Sequence, residues 1–231
     1  MSSEPLGEIR RRVGAACARA GRASSAVTIL AVAKTFPADA IRRVVEAGVT
    51  DVGENYVQEL TAKRDALLDL PVRWHFIGHL QSNKARAIAG WIHLVHALDS
   101  ASLARELERQ AQRTGRSIDV LVEVNTTGES SKFGVRPDDL LPLLRSIAPY
   151  GAVRVCGLMT IGPFLPDPEG SRPMFRQLRL LGEHLAQLGQ ANVSMRHLSM
   201  GMSGDFEVAI DEGATIIRLG TALFGSRRPS L

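Results

Sequence analysis

Short apolar runs separated by amphipathic stretches recur along the whole chain. The first clear run spans residues 29–33, Ile-Leu-Ala-Val-Ala, and Lys34 follows it directly. Five consecutive apolar residues indicate a strand that is buried on both faces, as the strands of parallel sheets are. Pro37 comes shortly afterwards, and its fixed φ suits the first turn of a helix. The pattern therefore predicts a strand over residues 27–33, a helix from Pro37 and a lysine at the carboxyl end of the strand.

Further strand patterns follow the first, and each precedes a stretch with helical periodicity. Ser82 and Ser100 stand where they could cap two of these helices. An amphipathic stretch over residues 3–20 predicts one additional helix before the first strand. The further predicted strands are residues 50–53, 73–77, 92–96, 119–125, 153–159, 197–200 and 215–219.

The alternation of strands with helices predicts a parallel sheet, and a count of eight strands favours a closed (β/α)8 TIM barrel with an extra N-terminal helix. A doubly wound open sheet is the second possibility. No G-x-G-x-x-G motif follows any predicted strand, which weakens that alternative. Because no linker-like or low-complexity stretch interrupts the pattern, we expect residues 1–231 to form a single domain.

Composition adds constraints on the environment rather than on the fold. Hydrophobic residues make up 45% of the chain, which is ordinary for a soluble globular protein. No apolar run approaches the roughly 20 residues of a membrane span. The N-terminus shows no signal pattern, and the two cysteines, Cys17 and Cys156, match no metal or redox spacing. We therefore expect a cytoplasmic protein without a membrane partner.

Basic residues occur in short clusters at residues 10–12, 42–43 and 227–228, and the formal net charge is +4. Clusters of this kind occur in nucleic-acid-binding proteins. Here glutamates lie among them, and aromatic residues, which stack on bases, make up only 5% of the chain. We interpret the clusters as solvated surface with a weak preference for anionic ligands, and we expect no nucleic-acid partner.

Candidate chemistry lies where the strands end, because the carboxyl ends of all barrel strands meet at the face that carries active sites. Lys34 follows the first predicted strand and Asn55 the second. Ser203-Gly204 and Gly220-Thr221 follow the last two strands, whose loops commonly bind phosphate in such barrels. Small residues there let backbone N–H groups approach an anion. Glycines also occur where a chain simply turns, but two such loops favour phosphate.

Arg218 lies inside an apolar strand pattern, where a guanidinium remains charged and requires an acceptor. One interpretation is an internal salt bridge, with Glu54 or Glu123 as partner. The other is a cation that faces a ligand atom. The residue pattern alone leaves both open.

A lysine at a strand end, a phosphate site and a buried arginine together suggest a phosphorylated carbonyl ligand held as a Schiff base. Pyridoxal phosphate needs these parts, and an arginine at its pyridine nitrogen would keep that nitrogen unprotonated. A sugar-phosphate enzyme with an aldolase-type lysine is an alternative. His75 and His79 have the spacing of some metal pairs, but residues 76–78 do not fit the helical motif, so we expect no metal.

Several segments together resemble those of the pyridoxal phosphate homeostasis proteins, also called the YggS/PROSC family. These proteins are single-domain relatives of the barrel domain of bacterial alanine racemase, and the resemblance extends from about Leu6 to Gly225. The segments that carry it are residues 31–35, 53–59, 74–84, 129–134, 157–161, 198–203 and 218–221.

The resemblance implies roles for particular residues. Lys34 would hold pyridoxal 5′-phosphate as a Schiff base, and Arg218 would face the pyridine nitrogen. Asn55 would lie beside the ring. Phe36 stands where some relatives have a second lysine, and Gly204 stands where an acidic residue is common. The phosphate would be held by Ser203, Gly204, Gly220 and Thr221.

The resemblance also implies a function without robust turnover, so no residue is assigned a catalytic role. Such proteins bind and deliver the cofactor, with apo-enzymes that depend on it as possible recipients, and they balance vitamin B6 and amino-acid pools. The alternative is an amino-acid racemase-like enzyme. Alanine racemases take a tyrosine from a second domain, and a chain that ends at Leu231 is expected to lack that domain. We expect a monomer or a weak dimer.

Overall fold

Eight parallel strands close into a barrel in the order in which they occur along the chain. The strands are β1 Thr28–Val32, β2 Asp51–Glu54, β3 Arg73–Phe76, β4 Leu94–Leu98, β5 Ile118–Glu123, β6 Val153–Met159, β7 Val193–Ser199 and β8 Ile216–Leu219. This computed structural model describes residues 4–129 and 133–225. Each strand pairs with the next, and β8 pairs with β1. The predicted (β/α)8 TIM barrel is confirmed, and the closing β1–β8 pair excludes the open sheet.

Helices surround the barrel, and the extra N-terminal helix is present as α1 Glu4–Arg19. Its apolar side is buried, and Arg12 fixes its position by pairing with Glu207 and lying over the ring of Phe206 at 4.6 Å. The other helices are α2 Ala38–Glu46, α3 Val57–Ala66, α4 Ala101–Thr114, α5 Pro137–Ile147, α6 Arg172–Ala186, α7 Phe206–Asp211 and α8 Thr221–Phe224.

The two predicted serine caps have different outcomes. Ser100 caps α4, because its side chain accepts a hydrogen bond from the backbone N–H of Leu103 at 3.3 Å. The prediction that Ser82 is a cap is wrong. The segment Ser82–Ala87 is a 3₁₀ helix, and Gln81 occupies the position before it. Short connecting segments commonly adopt the tighter 3₁₀ geometry, whose hydrogen bonds join residues i and i+3 instead of i and i+4.

Two strands begin at least two residues away from their predicted starts. β7 begins at Val193 rather than at residue 197. The sequence pattern missed its first residues because polar residues such as Ser194 interrupt the apolar run. β4 begins at Leu94 rather than at residue 92, since the N–H of Ile92 still donates to Ile88 in the preceding turn. Residues 130–132, within the segment 129–134 that carries part of the family resemblance, and the basic pair at residues 227–228 lie outside the described residues.

The strands bury residues of different character on their two faces. The outward faces and the inner sides of the helices form one large apolar cluster, which includes Phe76, Leu107 and Phe175. The barrel interior holds a smaller apolar cluster, and polar side chains share its volume. The interior apolar residues are Leu30, Val32, Ile77, Leu94, Leu121, Cys156, Met159 and Ile216.

Candidate ligand site at the mouth of the barrel

All seven predicted site residues line a single cavity of about 380 Å³ at the carboxyl ends of the strands. Apolar side chains of Val32, Ile77 and Phe164 complete much of its wall. The structure thus brings together residues that are far apart in the chain. The predicted site residues in this cavity are Lys34, Asn55, Ser203, Gly204, Arg218, Gly220 and Thr221.

Lys34 is the second residue of a tight turn, residues 33–36, that follows β1. The N–H of Phe36 donates to the carbonyl of Ala33 at 3.0 Å and closes this turn. Thr35, at its centre, has a φ of +69°, a conformation that a β-branched residue rarely adopts. Such backbone strain persists only where the surroundings hold it. The turn therefore presents Lys34 to the cavity in a conformation that the local sequence does not favour.

The groups that hold this turn come from β2 and α3. The N–H of Thr35 donates to the carboxylate of Glu59 at 3.2 Å. Lys63 donates to the same carboxylate and to the carbonyl of Ala33, both at 2.9 Å. Lys63 also pairs with Glu54 at 2.5 Å. The lysine therefore ties the end of β1, the end of β2 and the first turn of α3 together.

Arg218 projects from β8 into the barrel and is buried. It donates to the carbonyl of Ser199 at 2.7 Å, to the hydroxyl of Ser199 at 2.9 Å and to the carbonyl of Thr160 at 2.7 Å. Burial lowers the pKa of Arg218 to about 10, and the charges of Glu123 and Asp205 oppose that effect. The guanidinium is therefore charged at neutral pH.

The salt bridge considered for Arg218 does not form. Among the described residues, no carboxylate pairs with Arg218, and Glu54 pairs with Lys63 instead. Glu123 contributes only longer-range attraction. Neutral oxygens thus fix the guanidinium without cancelling its charge, and that charge borders the cavity.

The loops after β7 and β8 are joined at the cavity wall. Gly201, which opens the first loop, has a φ of +90°, and a Cβ there would lie 2.5 Å from Ala209. The hydroxyl of Ser203 accepts a hydrogen bond from the N–H of Ala222 at 3.3 Å. In the part of the chain that the structure describes, no protein acceptor receives the backbone N–H groups at four lining positions. These positions are Ser203, Gly204, Gly220 and Thr221.

Neither the backbone conformation nor the neighbouring atoms require glycine at positions 204 and 220. Neither has a positive φ. A Cβ at Gly204 would meet only Phe164, at 3.6 Å, and one at Gly220 would meet Val32 at 3.6 Å, which is ordinary contact. The two glycines instead leave open space in the cavity, which suits a ligand that approaches the backbone closely.

Asn55 lies beneath the mouth with an acceptor that has no protein partner. Its Oδ1 is buried, and within the described ranges no group donates to it. Gly78 packs directly on this residue, because a Cβ at Gly78 would lie 2.3 Å from the Asn55 carbonyl oxygen. A buried unsatisfied acceptor is costly and often marks the place of a bound group.

A second cavity of about 490 Å³ adjoins the first and shares Asn55, Ile77 and Ile161 with it. Lys84 and Glu123 line the second cavity. Burial raises the pKa of Glu123 to about 7, the charge of Asp99 adds to this, and Arg218 opposes it. Sequence reasoning treated Glu123 only as a partner for Arg218. Its place at the end of β5 was the signal that it borders the site.

The histidine pair considered for a metal does not form a site. His75 is buried inside the barrel, whereas His79 pairs with Asp99 at 3.2 Å at the mouth. Asp51, His75 and His93 do bring donor atoms within 4.8 Å of one another. Arg73 already binds both carboxylate oxygens of Asp51, however, so an internal ion pair accounts for that cluster.

Comparisons with known proteins agree on one family. The family model described as alanine racemase, N-terminal domain, matches residues 6–228. A pyridoxal phosphate homeostasis protein of Aquifex aeolicus is 47% identical over 225 residues, which cover 97% of this chain and 98% of that protein. A protein of the same name from Pseudomonas aeruginosa is 42% identical, with 97% of this chain and 95% of that protein covered.

A solved structure shares both the fold and much of the sequence. It is that of PipY from Synechococcus elongatus with PLP bound, which is 37% identical and superposes with a TM-score of 0.84. The match covers 96% of this chain and 99% of PipY. Within residues 4–129 and 133–225, no helix has the length and apolar character needed to cross a membrane.

Proposed function

The chain belongs to the family of pyridoxal phosphate homeostasis proteins, and from that premise we propose that it binds pyridoxal 5′-phosphate at the mouth of its barrel. We propose further that it serves the homeostasis and delivery of this cofactor in the cytoplasm. The observation that carries the proposal is the composition of the cavity. Lys34, a buried arginine and four backbone N–H groups that have no acceptor within the described residues line the same space.

The phosphate group would lie between the loops after β7 and β8. The free N–H groups of Ser203, Gly204, Gly220 and Thr221 suit an anion, and the two glycines leave room for it. These loops are the usual phosphate site of such barrels. The positive charge of Arg218 adds to the attraction for an anionic ligand.

Lys34 would anchor the cofactor covalently. Its Nζ, once deprotonated, would condense with the cofactor's aldehyde to form a Schiff base, with loss of one water molecule. Arg218 would face the pyridine nitrogen, and Asn55 would offer its unpaired Oδ1 beside the ring. The bound cofactor supplies an electron-accepting ring, and an arginine that is charged at neutral pH, placed at the pyridine nitrogen, would leave that nitrogen unprotonated.

A carrier without robust turnover fits the exposed rim of this site. The side chain of Phe164 borders the cavity yet is 85% exposed, and Ile161 is also exposed. Enzymes that depend on this cofactor usually exclude water from the reacting centre. We therefore propose that the rim gives apo-enzyme recipients access to the cofactor. A racemase-like activity is tested directly by incubation with single enantiomers of amino acids.

The decisive experiment combines a visible absorption spectrum, borohydride reduction and peptide mapping. Wild-type protein incubated with pyridoxal phosphate should show a yellow band that borohydride removes, and the pyridoxyl mass should appear on the Lys34 peptide. Lys34→Ala should lose the band and the adduct while its Tm stays unchanged, because the bonds that hold the turn come from Glu59, Lys63 and the Ala33–Phe36 backbone rather than from the Lys34 side chain.

Lys84→Ala is the matched control, since Lys84 lines only the adjoining cavity. This variant should keep both the band and the adduct on Lys34. A wild-type protein that stays colourless would refute binding of the cofactor. A Lys34→Ala protein that retains the adduct would refute the anchor.

A further inference from the structure

A continuous chain of hydrogen bonds runs through the barrel to Arg218. Asp51 accepts from Arg73, and its Oδ1 lies 3.0 Å from Nε2 of His75. Nδ1 of His75 lies 2.9 Å from Nε2 of His96. Nδ1 of His96 lies 3.0 Å from the hydroxyl of Ser199, which accepts from Arg218. We call the four residues between the two arginines the interior relay: Asp51, His75, His96 and Ser199.

The relay spans the barrel from one end to the other. Asp51 is the first residue of β2, whereas Ser199 is the last residue of β7. All four side chains are buried, and His96 and Ser199 are fully enclosed. Apolar residues fill the remaining interior. Hydrophobic side chains of similar volume would fill this space at a smaller desolvation cost, so packing alone does not explain the relay.

Only one arrangement of protons satisfies every member of the relay. The carboxylate of Asp51 can only accept, so His75 must carry its proton on Nε2. A neutral His75 then accepts at Nδ1, and His96 must donate from its own Nε2. A neutral His96 accepts at Nδ1, and the hydroxyl of Ser199 must donate to it. The hydroxyl oxygen of Ser199 is then an acceptor for Arg218.

The surroundings keep both histidines neutral. Burial lowers the pKa of His75 and His96, and the neighbouring cation Arg218 lowers that of His96 further. His93, His197 and Arg73 lower the pKa of one or both rings as well, and among the described residues Asp51 is the one acid that raises the pKa of His75. Although burial raises the pKa of Asp51, hydrogen bonds from His75 and Arg73 outweigh this and lower it to about 2. Asp51 is therefore an acceptor throughout the physiological range.

We propose that Asp51, His75 and His96 are positioning residues for the ligand site. They fix the direction of the Ser199 hydroxyl, which is one of the three oxygens that accept hydrogen bonds from the guanidinium of Arg218. The acidic group at one end of the barrel thus sets the orientation of a cation at the other. The effect on a bound cofactor rests on the function proposed above, but the proton arrangement does not.

The first test uses the protein without cofactor and measures the nitrogen chemical shifts of its histidine rings by NMR. His75 and His96 should both be neutral and carry their proton on Nε2 at pH 7 and above, because burial lowers the pKa of both rings from the ordinary value of a histidine. The chain has six histidines, so loss of one signal set in His96→Gln and of another in His75→Gln assigns the two rings. A proton on Nδ1 of either ring, or an imidazolium at pH 7, would overturn the relay even if the protein binds no pyridoxal phosphate.

The second test separates the two bonds of His96 with a matched pair of substitutions. Asparagine places its amide near the position of Nδ1, so His96→Asn retains an acceptor for Ser199. Glutamine reaches the position of Nε2, so His96→Gln retains a partner for His75 and leaves the Ser199 hydroxyl without its acceptor. Each variant is loaded with pyridoxal phosphate labelled with ¹⁵N in the ring.

The pyridine ¹⁵N shift and the absorption maximum should change in His96→Gln and stay near wild type in His96→Asn. Ser199→Ala, which removes the hydroxyl itself, should match His96→Gln, and it decides the matter if a His96 variant fails to fold. His93→Asn is the control, because His93 contacts the ring of His75 but lies outside the relay. An unchanged ¹⁵N shift in a folded His96→Gln protein, or in Ser199→Ala, would overturn the positioning role.

Discussion

The outward and inward faces of the same strands carry different kinds of residue. Along β3, Trp74 and Phe76 face the helices, and His75 between them faces the interior. Along β8, Ile217 and Leu219 face outward on either side of Arg218. Because successive side chains of a strand point to opposite faces, one strand serves both purposes. The apolar outer layer therefore stabilises the fold, while the polar interior positions the site at some cost in folding free energy.

The outer layer should respond most strongly to loss of volume. Phe175 of α6 is fully buried against the barrel. We expect Phe175→Ala to lower the free energy of unfolding by about 3–5 kcal/mol, since it loses apolar contact and leaves a cavity. Urea denaturation at pH 7 measures this. Affinity for pyridoxal phosphate, measured well below Tm, should stay near wild type.

Leu180 on the same helix provides the control, because its side chain is exposed. Leu180→Ala should change the free energy of unfolding by only about 0.5 kcal/mol. If Phe175→Ala destabilised the protein no more than Leu180→Ala, the outer layer would not be the main source of stability.

A buried acid beside the site should have the opposite effect when it is neutralised. The pKa of Glu123 is about 7 in the folded protein, mainly because of burial, against 4.5 as its ordinary value. At a pH between these two pKa values, Glu123 has released its proton in the unfolded chain but keeps it in the folded protein. The free energy of unfolding therefore falls as the pH rises through this interval. At pH 8, Glu123→Gln should be more stable than wild type by up to about 3 kcal/mol, and the two should converge near pH 4.

Glu212 is the matched control for this change in the outer part of the molecule. Burial raises its pKa, but hydrogen bonds from Arg176 and Arg172 outweigh that effect and lower it. Its contribution is therefore present above the ordinary pKa of a glutamate and is lost in acid. Glu212→Gln should destabilise the protein at pH 7. Equal signs for Glu123→Gln and Glu212→Gln at that pH would contradict the distinction between the two regions.

The same distinction explains what could be predicted from the sequence. Lys34, Arg218 and the glycine loops were predicted to meet because strand order alone brings strand ends to one face of a barrel. The bond between His96 and Ser199 joins residues 103 positions apart, and it depends on interior register that no local pattern encodes. The cavity bordered by Glu123 depends in the same way on how neighbouring loops fold back.

The positive φ of Thr35 could not be predicted from the sequence either, because threonine rarely adopts such a conformation. The strain arises from tertiary contacts, namely the bonds that Glu59 and Lys63 make around the turn. Sequence reasoning therefore located Lys34 correctly at the strand end, but it could not foresee how the lysine is held there.

The smallest expected effect is that of a substitution in the turn that holds Lys34, where local backbone strain and tertiary contacts oppose each other. Thr35→Gly should raise the free energy of unfolding by about 1 kcal/mol, because relief of strain of about 1–3 kcal/mol exceeds the entropy that an added glycine loses on folding. Thr61→Gly, the same substitution inside α3, should instead lower it by about 0.5 kcal/mol. Because the looser turn holds Lys34 less firmly, release of bound pyridoxal phosphate should be faster in Thr35→Gly. A variant that is destabilised, or that releases the cofactor more slowly, would show that the turn is not strained to hold Lys34 at the site.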